Sequence, residues 1–227
     1  MRYTRLWYLL IPVFIITACK SNTIPTGDVS ATVIEYKVTY LSEKAGNIPT
    51  KMLPGKMTVI FAEHFALNKI EGFFGQFSLV YIGNLHNKSV VTMMKLFDKK
   101  YVSYGKNGEM PCGFSELQNL VITETGNTKD LLGFRCKELL ISSNSDSAFY
   151  ALCTDGIDVK NPNVTTPFKE IDEVLLDFRT HLSLLDMRLT ATSIEKKTIS
   201  WDVFRVTEGY KERPREFVEN TIEELFK

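Results

Sequence analysis

The sequence predicts a mainly β domain, an antiparallel sheet system with one C-terminal helix. Three observations carry that expectation. Short segments of alternating apolar and polar residues recur from Ile34 to Val206, turn-forming residues separate them, and only the last stretch has helical periodicity. Parallel βαβ units would need an amphipathic helix between successive strands, and the sequence offers none there.

Taken in order, the first element is a leader. Arg2 and Arg5 precede a stretch from Leu6 to Ala18 interrupted only by Pro12 and Thr17. A membrane-spanning helix needs roughly 20 apolar residues, so this stretch is too short to span and fits an exported, processed leader. Ile16-Thr17-Ala18-Cys19 then resembles the lipobox of bacterial lipoproteins. That resemblance implies cleavage before Cys19 and a diacylglycerol on its thiol, with the acyl chains together holding the protein on a membrane. Lys20 stands where an inner-membrane retention aspartate would, and no acidic run follows it. By the same resemblance the home is the outer membrane, on its periplasm-facing leaflet. The expected organisation is a lipoprotein signal peptide over 1–18, a flexible tether over 19–30 carrying Pro25 and Gly27, and a single sheet domain over 31–227.

The domain opens with Ile34, Tyr36, Val38 and Tyr40 alternating with Glu35, Lys37 and Thr39, a half-buried strand. Further strands are expected at 56–62, 65–71, 76–82, 89–97, 100–104 and 120–124. Gly46-Asn47, Pro54-Gly55, Gly83-Asn84, Asn107-Gly108 and Gly126-Asn127 supply turn signals. The second half adds 134–142, 148–154, 174–180, 182–193 and 201–206. The strands at 76–82 and 89–97 are apolar on both faces, so something must cover both sides. Pro214 suits a first helical turn, and Phe217, Val218, Ile222, Leu225 and Phe226 form a stripe that a C-terminal helix lays on the sheet.

Composition narrows the functions. Twenty-seven basic and 27 acidic residues cancel over 227 positions, and removal of 1–18 leaves 25 against 27. That balance supplies no electrostatic handle for a nucleic-acid backbone, which normally calls for a clustered Lys/Arg face, so nucleic acid is not expected as a partner. His64, His86 and His181 are scattered without a second ligand at metal spacing, so neither a metal site nor a cofactor is expected. No nucleophile elbow, P-loop or dinucleotide fingerprint occurs, and Gly72-Phe73-Phe74-Gly75 reads as a turn. No catalytic residue is therefore assigned.

Besides Cys19 there are Cys112, Cys136 and Cys153. If Asn144 and Ser145 form a two-residue hairpin loop, Cys136 faces Cys153, and the two either form a disulfide or stay as buried reduced thiols; a loop shifted by one residue puts them on different faces. Asp146-Ser147-Ala148 looks like the Asp-Ser/Thr-apolar O-glycosylation motif of bacteroidetes-type envelope proteins, which makes Ser147 a candidate. Met52, Met57, Met93, Met94 and Met187 add soft apolar volume, read either as core packing or as the lining of an adaptable cavity.

Leu132-Gly133-Phe134-Arg135-Cys136-Lys137, the hairpin, and Leu152-Cys153-Thr154-Asp155 resemble uncharacterised bacteroidetes-type envelope proteins related to the GLPGLI family. Val174-Leu175-Leu176-Asp177, Ala191 to Glu195 and Phe204 to Lys211 look like the later strands of those domains, although the Gly-Leu-Pro-Gly-Leu-Ile run itself is absent. The resemblance implies a strongly curved antiparallel sheet, an unclosed half-barrel similar to the periplasmic lipoprotein carriers. It brings no catalytic residues.

The expected function is a membrane-anchored, non-enzymatic envelope lipoprotein whose curved sheet holds an apolar or lipid ligand. The alternative is a structural or interaction lipoprotein that docks on an envelope protein partner, its interior filled by its own side chains. A continuous apolar pocket of about 300 Å³ or more separates the two.

Overall fold

A computed structural model describes residues 24–114, 117, 119–144 and 147–227. The leader, Cys19 and the first residues of the expected tether lie outside the described residues. In chain order the strands are β1 (Asp28–Tyr40), β2 (Lys44–Ala45), β3 (Ile48–Pro49), β4 (Lys56–Ala62), β5 (Phe65–Gly72), β6 (Phe77–Asn84) and β7 (Ser89–Leu96). There follow β8 (Lys99–Tyr104), β9 (Val121–Leu131), β10 (Phe134–Ser142), β11 (Phe149–Thr154), β12 (Val174–Leu182), β13 (Leu185–Ser200), β14 (Lys211–Glu212) and helix α1 (Arg215–Leu225).

Twelve of these strands form one sheet in the order β14-β8-β7-β6-β5-β4-β1-β13-β12-β11-β10-β9, and β2 pairs with β3 apart from it. Every pairing is antiparallel except the two-residue β14 on β8. The sheet is not closed into a barrel: β14 and β9 are its two ends. Ile34, Tyr36, Val59, Leu79 and Met94 from one half share an apolar cluster with Leu176, Met187 and Leu189 from the other. The sheet therefore curves around that interior, as twisted strands in a wide sheet do.

Its apolar strands are covered on both sides, as their composition requires. Phe77, Leu79 and Tyr81 of β6 face the interior, which α1 closes with Val218 and Ile222, joined by Phe226 just after the helix. Pro214 stands at the start of α1, where its missing N–H leaves no donor unsatisfied. On the other face Ile82, Met93 and Val102 pack with Phe65 and Leu67 under Trp201 and Phe204. The expected strand at 201–206 is thus corrected. Trp201–Phe204 is one 3-10 turn, its N-terminus capped by the Ser200 hydroxyl accepting from the Asp202 N–H, and three-residue periodicity turns both rings to the same side.

Pairing begins at Asp28 opposite Ser200, so the last residues of the expected 19–30 tether belong to β1. The Gly126-Asn127 signal also lies inside a strand. Lys137 pairs with Thr128 and Leu139 with Glu124, leaving Thr125, Gly126 and Asn127 bulged opposite Glu138, with Gly126 at φ +79°. The bulge surrounds a nearly buried carboxylate: Glu138 accepts from Lys129 Nζ at 2.6 Å, Asn127 Nδ2 at 3.0 Å and Thr125 Oγ1 at 3.2 Å. Those donors, Lys129 first, hold its pKa below the ordinary carboxylate range.

Candidate functional site

Between β11 and β12 the chain runs through Asp155–Glu173 without a strand, long for a connection inside a compact domain. Most of its hydrogen bonds are internal. Asn163 Nδ2 donates to the carbonyls of Ile171 and Glu173, both at 2.8 Å, and Thr166 Oγ1 donates to Asn163 O at 2.8 Å. This strap is seated on the sheet by side chains. Phe168 and Ile171 join Leu139, Ile141, Ala151 and Leu175, while Ile157 enters the main cluster. Gly83 of β6 makes room for it, because a Cβ there would stand 3.1 Å from Thr165 Oγ1.

Beneath the strap lies a cavity with a volume of about 70 Å³. Val59, Ile70 and Leu189 of the sheet form part of its wall, with Phe168 and Thr165 from the strap and Phe114 from the segment after β8. Two tyrosines brace it. Tyr36 Oη donates to Leu175 O at 2.6 Å, and Tyr81 Oη donates to Cys112 O at 3.0 Å. Burial pushes both phenols above their ordinary pKa, so they remain neutral donors. Tyr36 also meets Phe178 edge-on, and Phe178 meets Phe168. Asn68, Asn163 and Thr180 are among the few polar members of a mainly apolar lining.

A wider open cleft of about 370 Å³ lies between β1, β13 and residues 156–159. Glu63, Asp158, Glu195 and Lys196 make its walls polar, so it is not the apolar pocket that the sequence led us to expect.

The histidines do not converge. His64 stands beside Glu63 at 3.9 Å, the His86 N–H caps onto Asn84 Oδ1, and His181 lies 3.9 Å from Asp186. Among the described residues no group of three His, Cys, Asp or Glu side chains is placed to hold a metal ion. Cys19 lies outside the described residues. Ser147 is exposed beside the start of β11, while Asp146 of its motif is not among the described residues.

The expected opposition of Cys136 and Cys153 is corrected by the register. Ile141 pairs with Phe149 and Lys137 with Cys153, one residue away from what a two-residue Asn144-Ser145 loop dictates. A one-residue shift exchanges faces. Cys153 therefore packs with Leu139, Ile141 and Ala151, Cys136 packs in the main cluster on the other side, and both thiols, like that of Cys112, are free and buried. Burial pushes the Cys153 thiol up to about 12, and raises those of Cys112 and Cys136. Because the thiolate is the reactive form, all three are expected to resist a thiol reagent at neutral pH in the folded protein and to react together on denaturation. Fewer than three reactive thiols in the denatured, unreduced domain would contradict this arrangement.

The strap went unrecognised in the sequence. Asn161-Pro162 and Thr166-Pro167 have turn composition, and the apolar residues spread through the run, Ile157, Val159, Val164, Phe168 and Ile171, are the signal of a segment that must return to the core.

No family model matches the chain, and no curated protein matches it. Among solved structures it is similar to PNGF-II in two crystal forms. The P21 form has a TM-score of 0.54 at 17% identity, covering 85% of this chain and 33% of that one. The C2 form has a TM-score of 0.53 at 16% identity, covering 85% and 32%. The chain spans about a third of the length of PNGF-II, and at this identity the likeness shows the fold alone.

Proposed function

We propose that this chain is a non-enzymatic envelope lipoprotein, anchored through Cys19 to the outer membrane and facing the periplasm, which acts through its surface and encloses no ligand. One observation carries the choice. The interior beneath the strap is filled by Phe114, Phe168, Phe178 and their neighbours, leaving about 70 Å³. Small-molecule pockets run from roughly 300 Å³ upwards, and even benzene needs about 150 Å³. The scattered histidines support the non-enzymatic part of the reading.

A second reading keeps the apolar ligand. It is favoured by the mainly apolar lining and by the strap over it, which is held to itself by the two Asn163 hydrogen bonds. One experiment separates the two. With residues 1–19 replaced by a cleavable secretory signal, the protein is expected to leave the salt-washed membrane fraction for the soluble periplasm. Its mass is then expected to be that of the polypeptide under both native and denaturing conditions. A lipid-sized adduct lost on denaturation would overturn the surface reading in favour of the ligand. Persistence in the salt-washed membrane fraction would overturn the anchor at Cys19.

A further inference from the structure

The two ends of the sheet differ in what their turns expose. At the end where β1 begins, the β4–β5 and β6–β7 turns carry Glu63-His64 and His86-Asn87-Lys88. At the other end, where β1 finishes, the β5–β6 turn carries Phe73 and Phe74, and the β7–β8 turn carries Phe97. Phe74 is fully exposed, Phe97 is 62% exposed and Met52, in the loop after β3, is 58% exposed.

These residues form one contiguous tip. The Gly72 backbone rests on the Pro54 ring, which a Cβ at Gly72 would meet at 2.5 Å, and this joins the Met52 loop to the β5–β6 turn. On its other side that turn accepts the Phe97 N–H at Gln76 O, 2.6 Å, and Lys95 Nζ at Gly75 O, 2.6 Å.

Backbone conformation makes the phenylalanines more telling. Phe73, Phe74 and Phe97 all sit at positive φ, 51°, 54° and 55°, where glycine or asparagine is the ordinary choice. Large apolar side chains are held there against local preference, and Phe74 and Phe97 are held out into solvent. Neither stability nor solubility explains that placement. Charge supplies the second half of the argument. Across 42–56, 69–76 and 95–100, the three segments of the tip, seven lysines stand against three acidic residues, although the whole chain is balanced.

Exposed aromatic rings within a lysine-rich rim match the chemistry of an anionic bilayer interface, where rings enter the headgroup boundary and ammonium groups meet phosphates. We propose that this tip docks on an anionic phospholipid surface, with Phe74 and Phe97 as its inserting residues. The reading goes beyond the covalent anchor. Thirteen residues of β1 separate the N-terminal end from the tip, roughly 40 Å of strand, so the tip is a second and independent membrane contact.

The test uses the unlipidated chain from Lys20 onward, which contains all three apolar clusters and thus the whole core. It is sedimented with phosphatidylglycerol-containing vesicles and with phosphatidylcholine vesicles, at low and high salt. Binding is expected with the anionic vesicles, weakened by salt, and about tenfold or more weaker for Phe74→Gly combined with Phe97→Gly. Because glycine relieves positive φ, that variant is expected to melt no lower than the parent, so a loss of binding is not a loss of fold. Parent protein left in the supernatant with anionic vesicles would overturn the proposal. Undiminished binding by the double variant would overturn it equally. Neither result touches the adduct measurement, so a surface reading with a protein partner can survive the failure of the lipid one.

Discussion

Replacing Trp201 with alanine is expected to destabilise the domain by about 3–5 kcal/mol, a large share of the 5–15 kcal/mol typical of a folded domain. The indole is 3% exposed and stands 5.7 Å from the rings of both Phe65 and Phe204. With Phe204 it covers the outer face of β4 to β8, including Leu67, Ile82, Met93 and Val102, which nothing on the sheet itself can shield. Truncation removes the transfer free energy of the indole and leaves a hole, since the Trp201 N–H bond to Gly27 O and the Ser200 cap keep the backbone in place. Thermal or chemical denaturation measures the loss. Val203 in the same turn is 38% exposed, and Val203→Ala is expected to change stability by no more than about 0.5 kcal/mol. Equal effects of the two substitutions would mean that the turn does not cover the sheet.

Phe168→Ala is the second large effect, again about 3–5 kcal/mol. Phe168 is 1% exposed, 5.7 Å from Phe178 and 6.5 Å from Phe149, both edge-on, and it is the strap's main hold on β10 to β12. Its consequence differs from that of Trp201, because the strap's own hydrogen bonds survive the change. Amide exchange is therefore expected to rise across Asp155–Glu173 well before it rises in β4 to β7. An apolar fluorescent probe is expected to bind the variant and not the parent, since the cavity loses its roof. If exchange rises uniformly over the sheet, the strap is an integral part of the cooperative unit and does not lift independently.

Those two residues also show where sequence reasoning succeeded and where it stopped. Apolar patterning between turn signals identified β4 and β10 to the residue and placed β5, β6, β7, β8 and β11 within one or two residues, whereas β9 and β13 run past the expected 124 and 193 to Leu131 and Ser200. The double apolarity of β6 and β7 correctly required two covers. It does not say which segments supply them, and 201–206 reads as a strand because its aromatic and β-branched residues favour that state. Gly126-Asn127 has the composition of a turn, and only the Glu138 carboxylate, with donors on both sides of the glycine, makes it a bulge. Cys136 and Cys153 were separated by a single residue of register, a quantity set by the whole hairpin and not by its loop.

The candidate site was less legible than the fold. Tyr36 was legible as a residue of the apolar face of its strand, but a cavity is the difference between a space and its contents, and neither is local in the chain. The tip is a sharper case. Gly72-Phe73-Phe74-Gly75 was visible as a turn, yet its meaning depends on Phe97 and Met52 lying beside it, residues brought together by antiparallel pairing.

By itself, the sequence determined that this is a mainly antiparallel β domain with a helix at its C-terminus, because strand and helix periods are written in consecutive residues. Tertiary structure alone decided the register of the cysteines, the seating of the strap, the size of the cavity and the gathering of aromatic turns at one end. Each of these depends on distances between residues remote in the chain, and such distances are set by the packing of the whole sheet, which no local pattern encodes.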